Sequence, residues 1–432
     1  MTKNPPTKTI DLVNKNLAKR YRAEKRFRLF GALSIGFGLM CLIFLFTDII
    51  SKGTRGFFFH YMPMEITLDA EVLGISDTDD RSQLLAANYS TLVRNKIYER
   101  FEANGRSEKK DARNMMALDA SGYRIQDMML NGDAAALLGT TITLDALVDD
   151  KVDYFLKRTH MGEDNPGFQY LNERQLEWLN QLIADGAVEK RFNTAFFTSG
   201  DSSQSEEAGV LSAVMGSFYL LLVTLALSFP IGIAAAVYLE EYAPKNKWTD
   251  LIEININNLA AVPSIIFGLL GLAMFLALFG LPRSTPLVGG FVLTLMTLPT
   301  IIISSRAAIK AVPPSIREAA YGIGASKMQV TIHHVIPLAM PGMLTGTIIG
   351  LAQALGESAP LLMIGMAAFI PDVPTSALDP ATVLPMQIFQ WFRNADAGFN
   401  EKASAAIIVL LFFLIFMNAL AVWARTRLER RW

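Results

Sequence analysis

Two ionisable side chains stand among uncharged neighbours. Glu357 follows the uncharged run Val335–Gly356, and no further charge appears before Asp372. Arg306 closes another uncharged run, Ser284–Ser305. A charge inside a bilayer is costly, so each is a functional candidate by default. A carboxylate at 357 can accept a hydrogen bond from a protonated acid and repel a fully ionised anion. The guanidinium of Arg306 can bind two oxygens of an oxyanion at once. Each residue also has a plainer reading. For Glu357 it is a structural pair with a basic group, such as one on a partner permease, and for Arg306 an anchor at the end of a helix. Ser358 and Thr300 are further polar linings of such a path, as are Ser304 and Ser305. On a helix their hydroxyls equally bond their own backbone.

A second constellation suits docking rather than binding. Arg317-Glu318-Ala319-Ala320-Tyr321-Gly322-Ile323-Gly324-Ala325-Ser326 is followed by Ile336-Pro337 and Pro341-Gly342. Ala319, Ala320, Gly324 and Ala325 are small enough for another surface to approach the backbone. Glu318 offers a charge for pairing, and Gly324 can divide one helix into two. Catalytic motifs are absent. There is no G-x-x-x-x-G-K-[ST], no G-x-S-x-G and no H-E-x-x-H. His333 and His334 are adjacent, so on a helix they point about 100° apart and make poor joint metal ligands. Cys41 is the single cysteine, which excludes disulfides and cysteine metal sites within the chain.

The elements that must carry these residues are membrane spans. The composition is 51% hydrophobic and 18% charged, and the apolar residues are concentrated in long runs. About 18 apolar residues suffice to cross a hydrocarbon core of roughly 30 Å as a helix. The pattern predicts six spans, near 29–50, 209–239, 255–281, 286–305, 340–369 and 403–424. Leu29–Ile50 is too long for a cleaved signal core, and no small-x-small site follows it, so it reads as a retained anchor. Residues 1–28 carry nine Lys/Arg against Asp11 and Glu24, which places a basic N-terminus in the cytoplasm. The basic tail 425–432 agrees with that orientation, as does the loop between the fourth and fifth spans, with Arg306, Lys310, Arg317 and Lys327 against Glu318 alone. The loop 240–253, with two lysines among four acids, does not follow the trend.

Residues 51–208 then lie outside. They hold 17 Lys/Arg and 26 Asp/Glu, too polar and too long for a loop. A folded α/β periplasmic domain is expected. A half-buried strand is read over Met64–Leu73, and helices over Ser82–Phe101 and Glu173–Phe192. Asp201–Glu207 reads as a linker, and the Pro-rich stretch 371–385 as irregular. No solenoid repeat appears. Pro230, Pro263, Pro299 and Pro360 interrupt spans, and Gly346-x-x-x-Gly350 marks a close helix contact.

The loop from Glu318 to Pro337 resembles the EAA motif of binding-protein-dependent ABC importer permeases. Glu318, Ala319, Ala320 and Gly324 match in register, while Ile336 stands where that motif has Leu. Beyond it, residues 205–432 resemble PstA-type permeases of phosphate importers. The resemblance rests most on Gly356-Glu357-Ser358-Ala359-Pro360-Leu361-Leu362 and on Leu384-Pro385-Met386-Gln387-Ile388-Phe389. It implies an all-α polytopic membrane protein of the type I ABC importer permease fold, with the α/β domain inserted after the first span. The membrane domain covers 209–424. Coupling to an ATPase falls to Glu318, Ala319, Ala320, Gly324 and Pro337. The candidate substrate path takes Glu357, Arg306, Ser358 and Thr300. Implied partners are a PstC-type permease, a PstB-type ATPase dimer that uses ATP and Mg, and a periplasmic phosphate-binding protein. Membrane lipid is a further partner, and nucleic acid is not one. The chain itself is expected to bind no cofactor or metal and to hydrolyse no ATP. A permease for another oxyanion remains open. So does a membrane-anchored sensor with a periplasmic ligand-binding domain, although no cytoplasmic signalling segment is visible.

Overall fold

The structure, a computed structural model, describes residues 9–428. The basic residues Arg430 and Arg431 and the first eight residues lie outside them. The chain divides into two units, residues 1–52 and 53–432. The first unit is most of helix α1 (Thr9–Gly56). Its apolar side chains, among them Leu29, Phe37 and Phe44, are exposed, as a lipid-facing span requires.

Within the second unit the inserted domain is α/β, built on a three-stranded antiparallel sheet. Strand β1 (Phe58–Thr67) lies between β2 (Thr141–Leu147) and β3 (Glu189–Phe192). The strand therefore starts six residues before the alternating segment at Met64 and stops at Thr67. Pro63 lacks a backbone donor, and it falls beyond the four residues of β1 that pair with β3. Helices α2 (Ser90–Arg100) and α3 (Leu118–Asn131) pack on the sheet through Val93, Ile97 and Ile125, all fully buried. The helix expected over 82–101 is two helices, because Ala87 turns extended between Arg81–Ala86 and α2. After β2 comes α4 (Asp150–Leu156), and later α5 (Glu173–Ala184). The segment expected to be helical to Phe192 stops at Ala184, where Asp185 and Gly186 at φ +64 turn the chain into β3.

Among the described residues, five helices are long and apolar enough to cross a membrane, and a bent pair, counted as one span, makes a sixth. Helix α6 (Leu211–Val237) continues through a π turn to Tyr242. The third expected span is broken instead of continuous. Helix α7 (Lys247–Ala260) and helix α8 (Ser264–Gly271, continuing to Leu278) meet at 101°, just before Pro263. Proline disfavours helical backbone in the residue before it, which fixes the break there. Helix α9 (Pro286–Lys310) is the buried hub, followed by α10 (Pro314–Gly322). Helix α11 (Ile336–Gly356) is preceded by the helical turns Lys327–Val335. The fifth expected span, 340–369, thus begins earlier and ends at Gly356; only the short helix α12 (Ala359–Met363) follows. Residues 364–383 are irregular, so the stretch expected to be irregular, 371–385, is so up to Val383, and Leu384 and Pro385 already belong to the next helix. Helix α13 (Leu384–Arg393) then leads to α14 (Ala397–Leu428), the last span.

Helices α9 and α11 run antiparallel in tight contact. A Cβ on Gly342 would come within 2.6 Å of the Ala308 Cβ, and one on Gly346 would strike the Ser304 side chain. The small-residue stripe is therefore one step longer than Gly346-x-x-x-Gly350. It lets two backbones approach where no hydrophobic force drives helices together.

The segment 201–207 is no free linker. Asp201 accepts a hydrogen bond from the Trp391 indole at 3.0 Å, and Glu206 accepts one from the Asp150 amide at 2.9 Å. Here the domain is bolted to the start of α14. Glu401 pairs with Lys157 at 3.1 Å and Arg158 at 2.5 Å, and Lys157 also pairs with Asp153. Lys402 donates to the carbonyls of Ala208 and Glu206. Beside this lie Asp149, Asp150 and Glu206, with carboxylate oxygens within 4.8 Å of one another. Burial, with Asp150 and Glu206 nearby, pushes Asp149 up to about 7, and burial raises Glu206 to about 6. The folded state thus holds protons that the unfolded chain has released. Stability rises as pH falls from about 7 toward the ordinary carboxylate range, and is lost again as pH rises through these values. The purified chain is expected to melt higher at pH 5.5 than at pH 7.5, and Asp149→Asn should flatten that difference in a thermal scan. An unchanged difference in the variant would remove Asp149 as its source.

Candidate functional site

Glu357 caps the C-terminus of α11 in an extended conformation, φ −85° and ψ 110°. It is not inside a helix, as the apolar run alone implied, but at a break. The helix ends at Gly356: Glu357 turns extended, and Ser358 precedes α12, which carries Pro360 in its first turn. Glu357 is half-buried and takes part in no ion pair among the described residues. Ser358, also half-buried, sits beside it in the break. The second broken element lies against the first. Gly268 of α8 packs on Pro360 so closely that a Cβ would fall 2.6 Å from its Cα. Two interrupted helices thus meet next to an unpaired carboxylate. Irregular backbone at membrane depth is tolerated where it is packed in protein or lines a cavity.

Thr300 lies mid-helix in α9 and is half-buried; its carbonyl accepts the Ser304 hydroxyl at 2.7 Å. The structure does not bring Arg306 to this place. From the register of Gly342 on Ala308 and Gly350 on Ile301, Glu357 lies level with about residue 294 of α9, roughly 18 Å from Arg306 at 1.5 Å per residue. Arg306 donates from Nε to Glu240 at 2.6 Å and from Nη2 to Glu253 at 2.5 Å. Its fork is filled by carboxylates of α6 and α7, so it holds helices together and offers no open oxyanion site. Lys310 adds a contact to Glu240 at 3.3 Å. Arg317 donates to Glu241 at 2.9 Å and to the carbonyls of Ile309 and Val312. Glu240, Glu241 and Glu253, three of the four acids of 240–253 that ran against the charge trend, are the partners of this clamp. Their excess over the local lysines was the one sequence signal for it.

The segment expected to dock is positioned by the same clamp. Helix α10 carries Glu318 and Ala319 on its exposed face and Ala320 in the core with Val330, Val335 and Ala339. Ile323 ends the helix, and Gly324 follows at φ +88°, a conformation that costs a side chain energy. The Gly324 amide donates to the Tyr321 carbonyl and the Ala325 amide to the Ala320 carbonyl, which closes the turn. Ser326 then caps the next helical turn with Gln329. Pro337 lies at the start of α11, directly after the helical turns Lys327–Val335. Tyr321, Ile323, Met328 and Ile332 are exposed around the turn; Ile323 is 84% exposed. The result is a short helix–turn–helix whose outer face is apolar, with Glu318 and Lys327 exposed beside it, tied by Arg317 to the ends of α6 and α9.

Residues 228–432 match the family model of the binding-protein-dependent transport system inner membrane component, and residues 14–163 match a domain of unknown function, DUF3333. The chain is 30% identical over 264 residues to the probable ABC transporter permease protein YqgI of Bacillus subtilis, covering 58% of this chain and 88% of that protein. It is 31% identical to the phosphate transport system permease protein PstC of Haemophilus influenzae (52% of this chain, 78% of the other). It is 28% identical to PstA of the same organism (51% and 77%). Among solved structures, the inward-facing methionine ABC transporter MetNI matches with a TM-score of 0.41 at 20% identity, over 51% of this chain and 97% of that chain. The chain belongs to the family of binding-protein-dependent ABC transporter permeases, and is a multi-pass inner-membrane transport subunit of an importer. Within that family it is PstA-like, with an N-terminal domain of unknown function added before the permease helices.

Proposed function

We propose that this chain forms half of a path for inorganic phosphate across the inner membrane. Its other half is a PstC-type permease. A PstB-type ATPase dimer using ATP and Mg drives it, and a periplasmic phosphate-binding protein feeds it. The N-terminus and basic tail face the cytoplasm, and residues 57–208 face the periplasm. The ATPase docks on the Glu318–Gly324 turn.

The observation that carries the phosphate reading is the similarity to PstA of Haemophilus influenzae, 28% over 222 residues. The carboxylate of Glu357 agrees with it chemically. Phosphate at neutral pH keeps a proton on one oxygen, whereas sulfate has none to give. A half-buried carboxylate without a cationic partner accepts a hydrogen bond from the first and repels the second. In this reading Ser358 and Thr300 line the path and Arg306 does not.

The test is labelled phosphate uptake in cells lacking this chain, complemented with wild type or Glu357→Gln. Wild type should restore uptake that excess sulfate leaves unchanged. Glu357→Gln should lower phosphate uptake about tenfold, the worth of one charge-assisted hydrogen bond, and weaken discrimination against sulfate. If wild type restores no phosphate uptake although the complex assembles, the substrate is another one and only the importer permease remains.

A further inference from the structure

The inserted domain ends in a cluster of exposed aromatic rings beside the last turn of α1. Phe57 and Phe58 follow Gly56 directly, and the β1–β3 register puts Phe192 opposite Phe58. Their rings meet edge to face at 5.8 Å. Phe197, from the helical turn Ala195–Thr198, stacks on Phe192 at 5.6 Å with 9° between planes, and on Phe57 at 5.6 Å. Phe58, Phe192 and Phe197 are 37%, 51% and 38% exposed. Every residue of β3 is exposed, so this sheet edge has nothing packed over it among the described residues. Three rings packed on one another and left open form an apolar patch that water does not favour.

The position of the patch says what covers it. Gly53 and Gly56 pack on Ser404 and Ala405 of α14, so the end of α1 is level with the start of the last span. There α14 passes from Glu401 and Lys402 into the uncharged run Ala403–Ala424. The phenylalanines stand one step beyond that level, where acyl chains give way to headgroups. Lys190 lies 5.0 Å from the Phe58 ring and is itself exposed. Arg55, in the last turn of α1, adds a second cation. Rings with cations at their rim match a layer that is apolar on one side and anionic on the other.

We infer that β3 and the Ala195–Thr198 turn rest on the phospholipid bilayer, with Phe58, Phe192 and Phe197 in the upper acyl region and Lys190 at the phosphates. The domain is then held by the membrane as well as by its ion pairs to α14, which fixes its tilt. The occupant is the bilayer, continuous with the lipid around the spans, and not a protein.

Site-directed spin labelling tests this on the full chain with its partner subunits in phosphatidylethanolamine–phosphatidylglycerol nanodiscs. In a Cys41→Ser background, nitroxides are placed by Phe192→Cys, Phe197→Cys, Lys190→Cys and Tyr123→Cys, the last at an exposed site on α3. Labels at 192 and 197 should collide more with oxygen than with a water-soluble nickel chelate. The label at 123 should show the reverse, and the label at 190 should lie between. Labels at 192 and 197 that behave like 123 place the rings in water and overturn the inference. So do labels shielded from both reagents, since a protein then covers the patch. The exposed site at 190 tolerates its label whatever the rings do, and a reading there equal to that at 123 also overturns it.

Discussion

Glu401→Gln is expected to lower the stability of the second unit by about 3 kcal/mol, the lower end of what removing one partner from a buried charge network costs. The side chains of Glu401, Lys157 and Arg158 are 7%, 3% and 8% exposed. With the carboxylate gone, Arg158 keeps only the Tyr154 carbonyl and the face of the Tyr154 ring, 3.5 Å from its Cζ. Lys157 keeps Asp153, which is why the loss lies at the lower end. Asp153 is held below its usual range by Lys157 and His60 against the effect of its own burial, so that half of the network stays ionised. Thermal unfolding of the purified chain in detergent measures the change. The double variant Glu401→Leu with Arg158→Leu should recover much of it, because an apolar replacement of a whole buried pair is often neutral. Equal melting of wild type and Glu401→Gln would show that the pair contributes nothing to holding the domain on α14.

The spans were legible because about twenty consecutive uncharged residues have few alternatives to crossing a membrane. The breaks were less legible, for a physical reason. Hydropathy registers the length of an apolar run and not the direction of its axis, so Ile254–Pro282 and the stretch after Gly356 read as straight. Pro263 and Pro360 mark both breaks, but Pro230 and Pro299 lie inside continuous helices. Whether proline bends, ends or merely sits in a helix is decided by what packs around it, here Gly268 against Pro360. The same holds for charge. Arg306 looked free because its partners, Glu240 and Glu253, are 66 and 53 residues away in sequence. Glu357 kept its interest because no ion pair claims it among the described residues. In the inserted domain, alternation located a strand near Met64 but not its start, since Phe58 to Tyr61 are set by pairing with β3 and the rest of the strand by pairing with β2.

Glu318→Lys is expected to abolish ATP-driven uptake and release the partner ATPase. Glu318 lies on the exposed face of α10 and forms no ion pair among the described residues, so charge reversal leaves the fold intact. Its neighbour Arg317 carries the attachment to Glu241, on the other side of the helix. Whatever the lysine disturbs is therefore outside this chain. Like charges brought face to face at an interface cost several kcal/mol, and each 1.4 kcal/mol is about tenfold in affinity, so a loss of a hundredfold or more follows. Co-purification of the ATPase and uptake in reconstituted vesicles read the two losses separately. Glu318→Gln removes the charge without opposing it and should retain part of both. Gly324→Val acts differently. At φ +88° a β-branched residue is strained, so the turn itself should shift and uncouple hydrolysis from transport while the ATPase still binds weakly. Should Glu318→Lys leave association and uptake at wild-type levels, the ATPase docks elsewhere. The exposed apolar rim of Tyr321, Ile323 and Met328 would then carry the contact without the carboxylate.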